Sequence, residues 1–188
     1  MVSVLYRPGL SLGLRELKSS GLIAYPTEAV WGLGCLPHDY TAVQRLLKLK
    51  SRPQHKGLIL VSGDRAHFAH LLEGLTVEQE DWLEQTWPGP NTWLVPHRQR
   101  VPDWISGGHQ SVAIRVSAHP VIRALSQAVG GPIVSTSANP QGLAPARTGW
   151  RAKLYFGDQV YYVPGQVGRA AKPSQIRDLA TGQILRPA

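Results

Sequence analysis

The hydrophobic and polar positions alternate along the chain in a way that predicts a mixture of helices and strands. Leu10, Leu14 and Leu17 recur at helical spacing before Gly21, which predicts a first helix that begins near Pro8. Short apolar runs with turn residues at their ends follow, and these are typical of buried strands. The predicted strands cover residues 22–26, 57–62, 92–95, 111–116 and 131–139, with further candidates at 159–164 and 183–187.

Capping signals between the strands predict four more helices. They begin at Asp39, at the Thr76 and Gln79 capping box, at Pro120 and at Thr148. Strands and helices therefore mix throughout, which indicates an α/β fold, and hairpin-like neighbours late in the chain favour a mixed sheet. No composition break, repeat or linker interrupts residues 1–188, so we expect a single domain.

Composition and charge limit the classes of partner. The 188 residues are 43% hydrophobic and 17% charged, which is a globular composition, and the net charge is +8. Such a balance favours polyanionic partners such as nucleic acid, nucleotides or an acidic membrane surface. Cys35 is the only cysteine, so an internal disulfide is excluded. There is no signal peptide pattern and no run of 18 apolar residues, so we expect a cytoplasmic protein that does not enter a membrane.

Several common catalytic signatures are missing from the sequence. It has no phosphate-binding loop of the GxxxxGK[ST] type and no GxSxG nucleophile elbow, and GLGCLP breaks the dinucleotide-binding pattern at its last position. His67 and His70 lack a carboxylate or cysteine partner set. We therefore predict no metal site built from protein ligands.

A cationic stretch precedes the strand at residues 57–62. Lys50 follows Leu46 by four residues and Val43 by seven, so it lies in line with the apolar stripe of its helix and points toward the inner edge of the structure. Lys48 points elsewhere, whereas Arg52 and Lys56 join Lys50 near the strand. This stretch is either a convergent anion site or an ordinary solvated run of charges.

Three further stretches are candidates for binding. Ser135, Ser137 and Asn139 end a buried strand, where hydroxyl, amide and backbone N–H groups can bind an anion, although an ordinary turn has the same composition. Thr27 precedes a glycine-rich turn that is open to the same two interpretations. Arg115 alternates with apolar strand residues and therefore points to the opposite face, as either a ligand-binding or an outward-facing residue.

Together these stretches resemble the YrdC/TsaC family of threonylcarbamoyl-AMP synthases, in its short form. The resemblance runs from about residue 20 to residue 187 and rests on PTEAVWGLGC, KLKSRP followed by Lys56-Gly-Leu, VAIRVSAHP, STSAN and PSQIRD…ILRP, which occur in the family's order. Two positions depart from it. Many relatives have proline where Gly57 stands, and the long forms read Ser-Thr-Ile-Ile-Asp where this chain has Ser174-Gln-Ile-Arg-Asp178.

The resemblance implies a reaction and a set of site residues. L-threonine, bicarbonate and ATP, with Mg²⁺, would give threonylcarbamoyl-AMP and pyrophosphate for t6A modification at position 37 of tRNA, and downstream t6A transfer proteins would receive the product. It also implies a twisted, open mixed sheet with flanking helices and a basic concave face. By motif, Thr27 and Arg115 would bind threonine, and Lys50 and Arg52 would be catalytic. The implied ATP-binding residues are Lys50, Arg52, Lys56, Ser135, Ser137, Asn139, Ser174 and Arg186.

The alternative is a double-stranded RNA-binding or ribosome-maturation protein that uses the same basic face. RNA binding needs cations spread along a stripe, whereas the synthase needs Thr27 and the STSAN turn specifically. Six tryptophans could stack on bases, but Trp82, Trp87 and Trp93 fall at core-like positions, which favours packing.

Overall fold

The computed structural model describes residues 8–187, and the strands of this range form one sheet of nine. In chain order they are β1 (Ile23–Pro26), β2 (Trp31–Gly34), β3 (Ile59–Ser62), β4 (Asn91–Pro96), β5 (Ser111–Val116), β6 (Ile133–Ser137), β7 (Tyr161–Tyr162), β8 (Gln175–Asp178) and β9 (Ile184–Arg186).

The sheet is mixed, as the sequence predicts. Its strand order is β7-β1-β2-β6-β3-β5-β4-β8-β9. The pairs β1–β7, β3–β5 and β4–β8 are parallel, and the remaining neighbours are antiparallel. The α/β fold class and the mixed sheet are therefore confirmed.

The helices begin where the capping residues predict. Asp39, Thr76 and Thr148 each accept a hydrogen bond from the first turn of a helix, and Pro120 is the first residue of its helix. The helices of the described range are α1 (Pro8–Lys18), α2 (Tyr40–Leu49), α3 (Val77–Thr86), α4 (Asp103–Ser106), α5 (Pro120–Val129) and α6 (Gly149–Phe156). None of them, within residues 8–187, has the length and apolarity needed to span a bilayer.

Two hydrophobic clusters lie on opposite faces of the sheet. The larger cluster packs α2, α3, α4 and α6 against side chains such as Leu60, Ile114 and Val134. The smaller cluster packs α1 and α5 against Val61 and Ile133, which point to the other face. Helices therefore flank both faces, as expected for this fold class.

The smaller cluster covers only part of its face. Ile59 lies two residues before Val61, so both side chains point to this face, and Ala113 and Ser135 are the cross-strand partners of Ile59. Leu94 pairs in turn with Ala113. These four side chains line an open cavity instead of packing under a helix. The fold thus leaves part of this sheet face open to the cavity.

Candidate functional site

The uncovered part of this sheet face is the floor of a cavity of about 710 Å³. This volume lies within the range usual for small-molecule sites. Its walls come from the turn between β1 and β2, the loop before β3, the end of β6 and the β8–β9 hairpin. The cavity brings together eight of the ten residues that the sequence singles out: Thr27, Arg52, Lys56, Arg115, Ser135, Ser137, Ser174 and Arg186.

The lining of the cavity is strongly cationic. Among the described residues that line the cavity, one is a carboxylate, Glu28, and five are cations: Arg52, Lys56, Arg115, Lys172 and Arg186. Burial and then the charge of Arg186 lower the pKa of Arg52, and burial and then the charge of Arg115 lower the pKa of Arg186. These guanidiniums repel one another, so an anionic ligand would relieve an existing electrostatic cost.

Arg115 occupies the deepest position among these cations. It is 7% exposed and lies on β5 beside Val61, on the face opposite Ile114, as the strand alternation predicts. Its Nη2 is 3.5 Å from Oε2 of Glu28, and Oε1 of Glu28 accepts a hydrogen bond of 2.5 Å from the hydroxyl of Ser117. Nε of Arg115 is buried without a hydrogen-bond partner. The guanidinium is thus oriented by a carboxylate but retains unused donor capacity.

Thr27 lines the cavity from the turn between β1 and β2, and Ser135 lines it from strand β6. The hydroxyl of Thr27 donates to the carbonyl of Val30 at 2.8 Å, which leaves its oxygen lone pairs available. Beside Ser135, the hydroxyl of Tyr25 donates to the carbonyl of Val134 at 3.2 Å, and burial raises the pKa of Tyr25. Tyr25 therefore stays neutral and holds the main chain of β6 beside Ser135.

Arg52 holds its own loop as well as lining the cavity. Its Nη2 donates to the carbonyl of Gly57 at 2.8 Å, and its Nε donates to the same oxygen at 3.2 Å. Lys56, by contrast, is exposed, and its ammonium is not used in this loop. Arg52 therefore has a structural contribution that Lys56 lacks.

The β8–β9 hairpin supplies the remaining polar residues. The hydroxyl of Ser174 lies 2.9 Å from the hydroxyl of Thr92, and Arg186 donates from Nη2 to the carbonyl of Ser174 at 2.6 Å. Lys172 also lines the cavity, but the sequence analysis did not single it out. The sequence signal that could have identified Lys172 is its position two residues before Ser174, which is itself a predicted site residue.

Lys50 and Asn139 differ from the expectation, because the structure does not place either in the cavity lining. Lys50 points inward, as its helical spacing predicts, and it is 5% exposed. Its ammonium contacts the main-chain carbonyls of Ser137 and Asn139. The helical phase was therefore predicted correctly, but the contact is with backbone.

Metal ligands do not cluster in the part of the chain that the structure covers. Within residues 8–187 there is no group of three or more His, Cys, Asp or Glu side chains that could hold an ion.

The fold and the cavity define an α/β protein with an open, largely cationic cavity on one face of its mixed sheet. The family model Sua5_yciO_yrdC, described as "Telomere recombination", matches residues 15–188. The chain therefore belongs to the Sua5/YciO/YrdC family.

Curated relatives resemble the chain over nearly its full length. A threonylcarbamoyl-AMP synthase of Stutzerimonas stutzeri is 53% identical over 175 residues, which is 93% of this chain and 94% of that protein. A threonylcarbamoyl-AMP synthase of Hahella chejuensis is 54% identical over 171 residues, 90% of this chain and 93% of that protein.

Solved structures share the fold. P. abyssi Sua5 complexed with L-threonine superposes with a TM-score of 0.87 at 29% identity and covers 95% of this chain. The chain spans 53% of that protein. E. coli YciO superposes with a TM-score of 0.82 at 23% identity, over 94% of this chain and 87% of YciO, which supports the fold alone.

Proposed function

We propose that this chain is a threonylcarbamoyl-AMP synthase, which makes L-threonylcarbamoyl-AMP and pyrophosphate from L-threonine, bicarbonate and ATP for t6A modification of tRNA. Relatives that are more than half identical over 90% or more of the chain carry this activity in their names. The observation in the structure that carries the proposal is the group of mutually repelling guanidiniums at a cavity that also presents hydroxyl groups.

The reaction explains why such a site needs no protein nucleophile. The amine of threonine and bicarbonate give a carbamate and water. A carbamate oxygen then attacks the α-phosphorus of ATP and breaks its bond to the bridging oxygen, so that pyrophosphate leaves. The carbamate and the triphosphate both bear negative charge where they meet, and the chain contributes positioning and charge neutralisation.

The positions of the lining residues support separate roles. We assign Arg115 and Thr27 to threonine, because a deep guanidinium with unused donors can take a carboxylate in two hydrogen bonds. The nucleotide would occupy the rest of the cavity. Its phosphates would contact Arg52, Lys56, Lys172, Arg186 and the hydroxyls of Ser135, Ser137 and Ser174.

Mg²⁺ would enter with ATP in this proposal. Magnesium prefers oxygen ligands, but Glu28, the carboxylate of the described lining, already contacts Arg115 and Ser117. The phosphate oxygens of ATP, and not protein side chains, would therefore supply most of the ligands of the ion. The ion would in turn help to neutralise the charge on the phosphates.

Two further expectations belong to the same proposal. The lining residues run from Thr27 to Arg186 and lie on or next to one sheet, which supports residues 1–188 acting as one catalytic domain with a basic concave face. The product would pass to downstream t6A transfer proteins. The alternative of a double-stranded RNA-binding protein is not favoured, because the similar curated proteins are synthases.

The test is ATP turnover that depends on both other substrates. Purified protein with ATP and Mg²⁺ should release pyrophosphate only when threonine and bicarbonate are both present, and mass spectrometry should detect threonylcarbamoyl-AMP. Arg115→Ala should abolish this release, whereas Arg15→Ala, an exposed change on α1, should not. Release of pyrophosphate without threonine, or no release at all from folded protein, would contradict the proposal.

A further inference from the structure

The loop that follows β6 is held from inside by one lysine. The ammonium of Lys50 donates to the carbonyl oxygens of Ser137 and of Asn139, the second at 2.6 Å. The main-chain carbonyl of Lys50 accepts from the amide N–H of Gln141 at 3.0 Å. Lys50, at the end of α2, therefore contacts the loop at three places.

The side chain of Asn139 holds the remainder of the same loop. Its Nδ2 donates to the carbonyl of Leu143 at 2.7 Å and to that of Pro140 at 3.1 Å. The main-chain carbonyls of residues 137, 139, 140 and 143 are thus all satisfied by Lys50 and Asn139. Carbonyl oxygens clustered in this way create a locally negative environment that an ammonium can occupy.

The ammonium of Lys50 contacts the main chain of this loop. Its side chain is 5% exposed and does not line the cavity, whereas Ser137, whose carbonyl it contacts, does. Burial and then the nearby charge of Arg52 lower the pKa of Lys50 to about 8, so the ammonium is predominantly charged at neutral pH. A buried charge of this kind needs compensating hydrogen bonds, and the two carbonyls provide them.

We propose that Lys50 is a positioning residue: it fixes the backbone of the loop after β6, and so presents Ser137 to the cavity, without itself contacting the nucleotide. The structural part of this inference, the fixing of the loop by Lys50, does not depend on which reaction the protein catalyses. Its consequence for ATP rests on the proposed function, through Ser137.

Hydrogen exchange on the ligand-free protein tests the structural part. In Lys50→Met the carbonyl of Asn139 loses the ammonium, and the carbonyl of Ser137 keeps only the amide N–H of Asn139. The amides of residues 138, 139, 141 and 142 should therefore exchange at least about fivefold faster, in line with the loss of one buried hydrogen bond. Lys48→Met, two residues earlier and exposed, is the matched control and should leave these rates unchanged. Unchanged exchange in folded Lys50→Met would overturn the proposal whatever reaction the protein catalyses.

The reactivity of the amine distinguishes a loop contact from a phosphate contact. Acylation of Lys50 by an amine-specific reagent, followed by mass spectrometry, should be slow both without and with ATP. A lysine that serves as a phosphate ligand should be accessible in the free protein and protected when ATP binds, as we expect for Lys56. Strong protection of Lys50 by ATP would show a direct contact and would overturn the proposal.

A double-mutant cycle tests the connection with Ser137. Lys50→Met should raise KM for ATP with little change in kcat, because the groups at the reacting atoms remain in place. The same change made in a Ser137→Ala background should raise KM less, because the group that Lys50 positions is already absent. Full additivity of the two substitutions would contradict action through Ser137. If no activity is found in the wild type, the exchange experiment still decides the role of Lys50.

Discussion

Arg115 shows how one side chain can be charged, buried and still available to a ligand. Glu28 lies on one side of its guanidinium and Arg186 contributes positive charge nearby, so the local charge is not neutralised by Glu28 alone. A buried guanidinium with a buried, unpaired Nε is costly unless a ligand completes its hydrogen bonds. The planar group can bind a carboxylate with two parallel hydrogen bonds, which an ammonium cannot do.

Arg115→Lys should therefore weaken threonine binding more than ATP binding. The substitution keeps the charge but removes the two-pronged geometry. Titration calorimetry with each ligand separately measures the two affinities, and Arg15→Lys on α1 is the control. Equal losses for the two ligands would assign Arg115 to the nucleotide instead.

Lys172 is the lining cation that the sequence analysis missed. It is exposed, so its contact with a phosphate would be partly screened by water, and we expect Lys172→Ala to raise KM for ATP by a factor of about three to ten. Lys153→Ala, at an exposed position of α6, should leave KM unchanged. A tenfold fall in kcat at constant KM would indicate a role at the reacting phosphate.

The direction of a side chain was more predictable than its partner. Helical spacing predicted that Lys50 points inward, and strand alternation predicted that Arg115 leaves the core face. Both rules use only local periodicity. The partner of Lys50 depends on where residues 137–139 lie in the folded chain, and a long flexible lysine can reach either a phosphate or a carbonyl. The sequence alone therefore could not separate these two roles.

At the scale of one element, α5 depends on an unusual N-cap. Nδ1 of His119 accepts from the amide N–H of Val121 at 3.3 Å, and Nε2 donates to the carbonyl of Gln166 at 3.1 Å. This pattern requires the neutral imidazole, since a protonated Nδ1 cannot accept. Burial is the main cause that lowers the pKa of His119 below its usual 6.5.

The cap predicts a pH dependence of stability. The unfolded chain protonates His119 near its ordinary pKa, while the folded protein resists protonation, so the contribution to stability is present above 6.5 and is lost as the pH falls below it. We expect His119→Asn, which keeps a good N-cap, to reduce the difference in urea midpoint between about pH 7.5 and about pH 5.5. His38→Asn, at an exposed position, should not reduce this difference. An unchanged difference in His119→Asn would assign the effect to other groups.

Helices were predicted better than strands for a physical reason. The capping box of Thr76 and Gln79 and the proline that begins α5 are local signals, and the structure has both helices where they point. β2 reads Trp-Gly-Leu-Gly, which looks like a turn because glycine disfavours strands. It is extended because β1 and β6 pair with it, one on each side, through main-chain hydrogen bonds. β8 likewise owes its conformation to pairing with β4, which lies more than 80 residues earlier in the sequence.

For the whole molecule, the net charge of +8 raises the question of whether ATP binding reflects the site or the general field. If a few fixed, partly buried groups bind ATP, its affinity should fall only modestly between about 50 mM and about 200 mM salt. If many exposed cations of the protein bind duplex RNA, the affinity for RNA should fall steeply over the same range. Binding curves for ATP and a short RNA duplex at both salt concentrations measure the contrast. ATP binding that falls as steeply as RNA binding would contradict a defined pocket.

Ser137→Ala separates the two ligands without altering charge. Its hydroxyl lines the cavity, so its loss should weaken ATP binding and leave any RNA binding unchanged. RNA affinity that survives high salt and falls in Ser137→Ala would make the turn after β6 an RNA contact and would weigh against the synthase.

The position of the β8–β9 hairpin in the sequence affects how the protein matures. The cavity floor comes from β3, β4, β5 and β6, but one wall comes from residues 174–186, and β8 joins the sheet by pairing with β4. Chains are made from the N-terminus, and their early parts collapse first. A nascent chain that ends before residue 174 has already made every member of the smaller hydrophobic cluster and all of the larger one except Leu179, but it still lacks Ser174 and Arg186. In the proposed function, the full set of nucleotide contacts is consequently present only in the finished polypeptide, and ATP would stabilise that state by mass action.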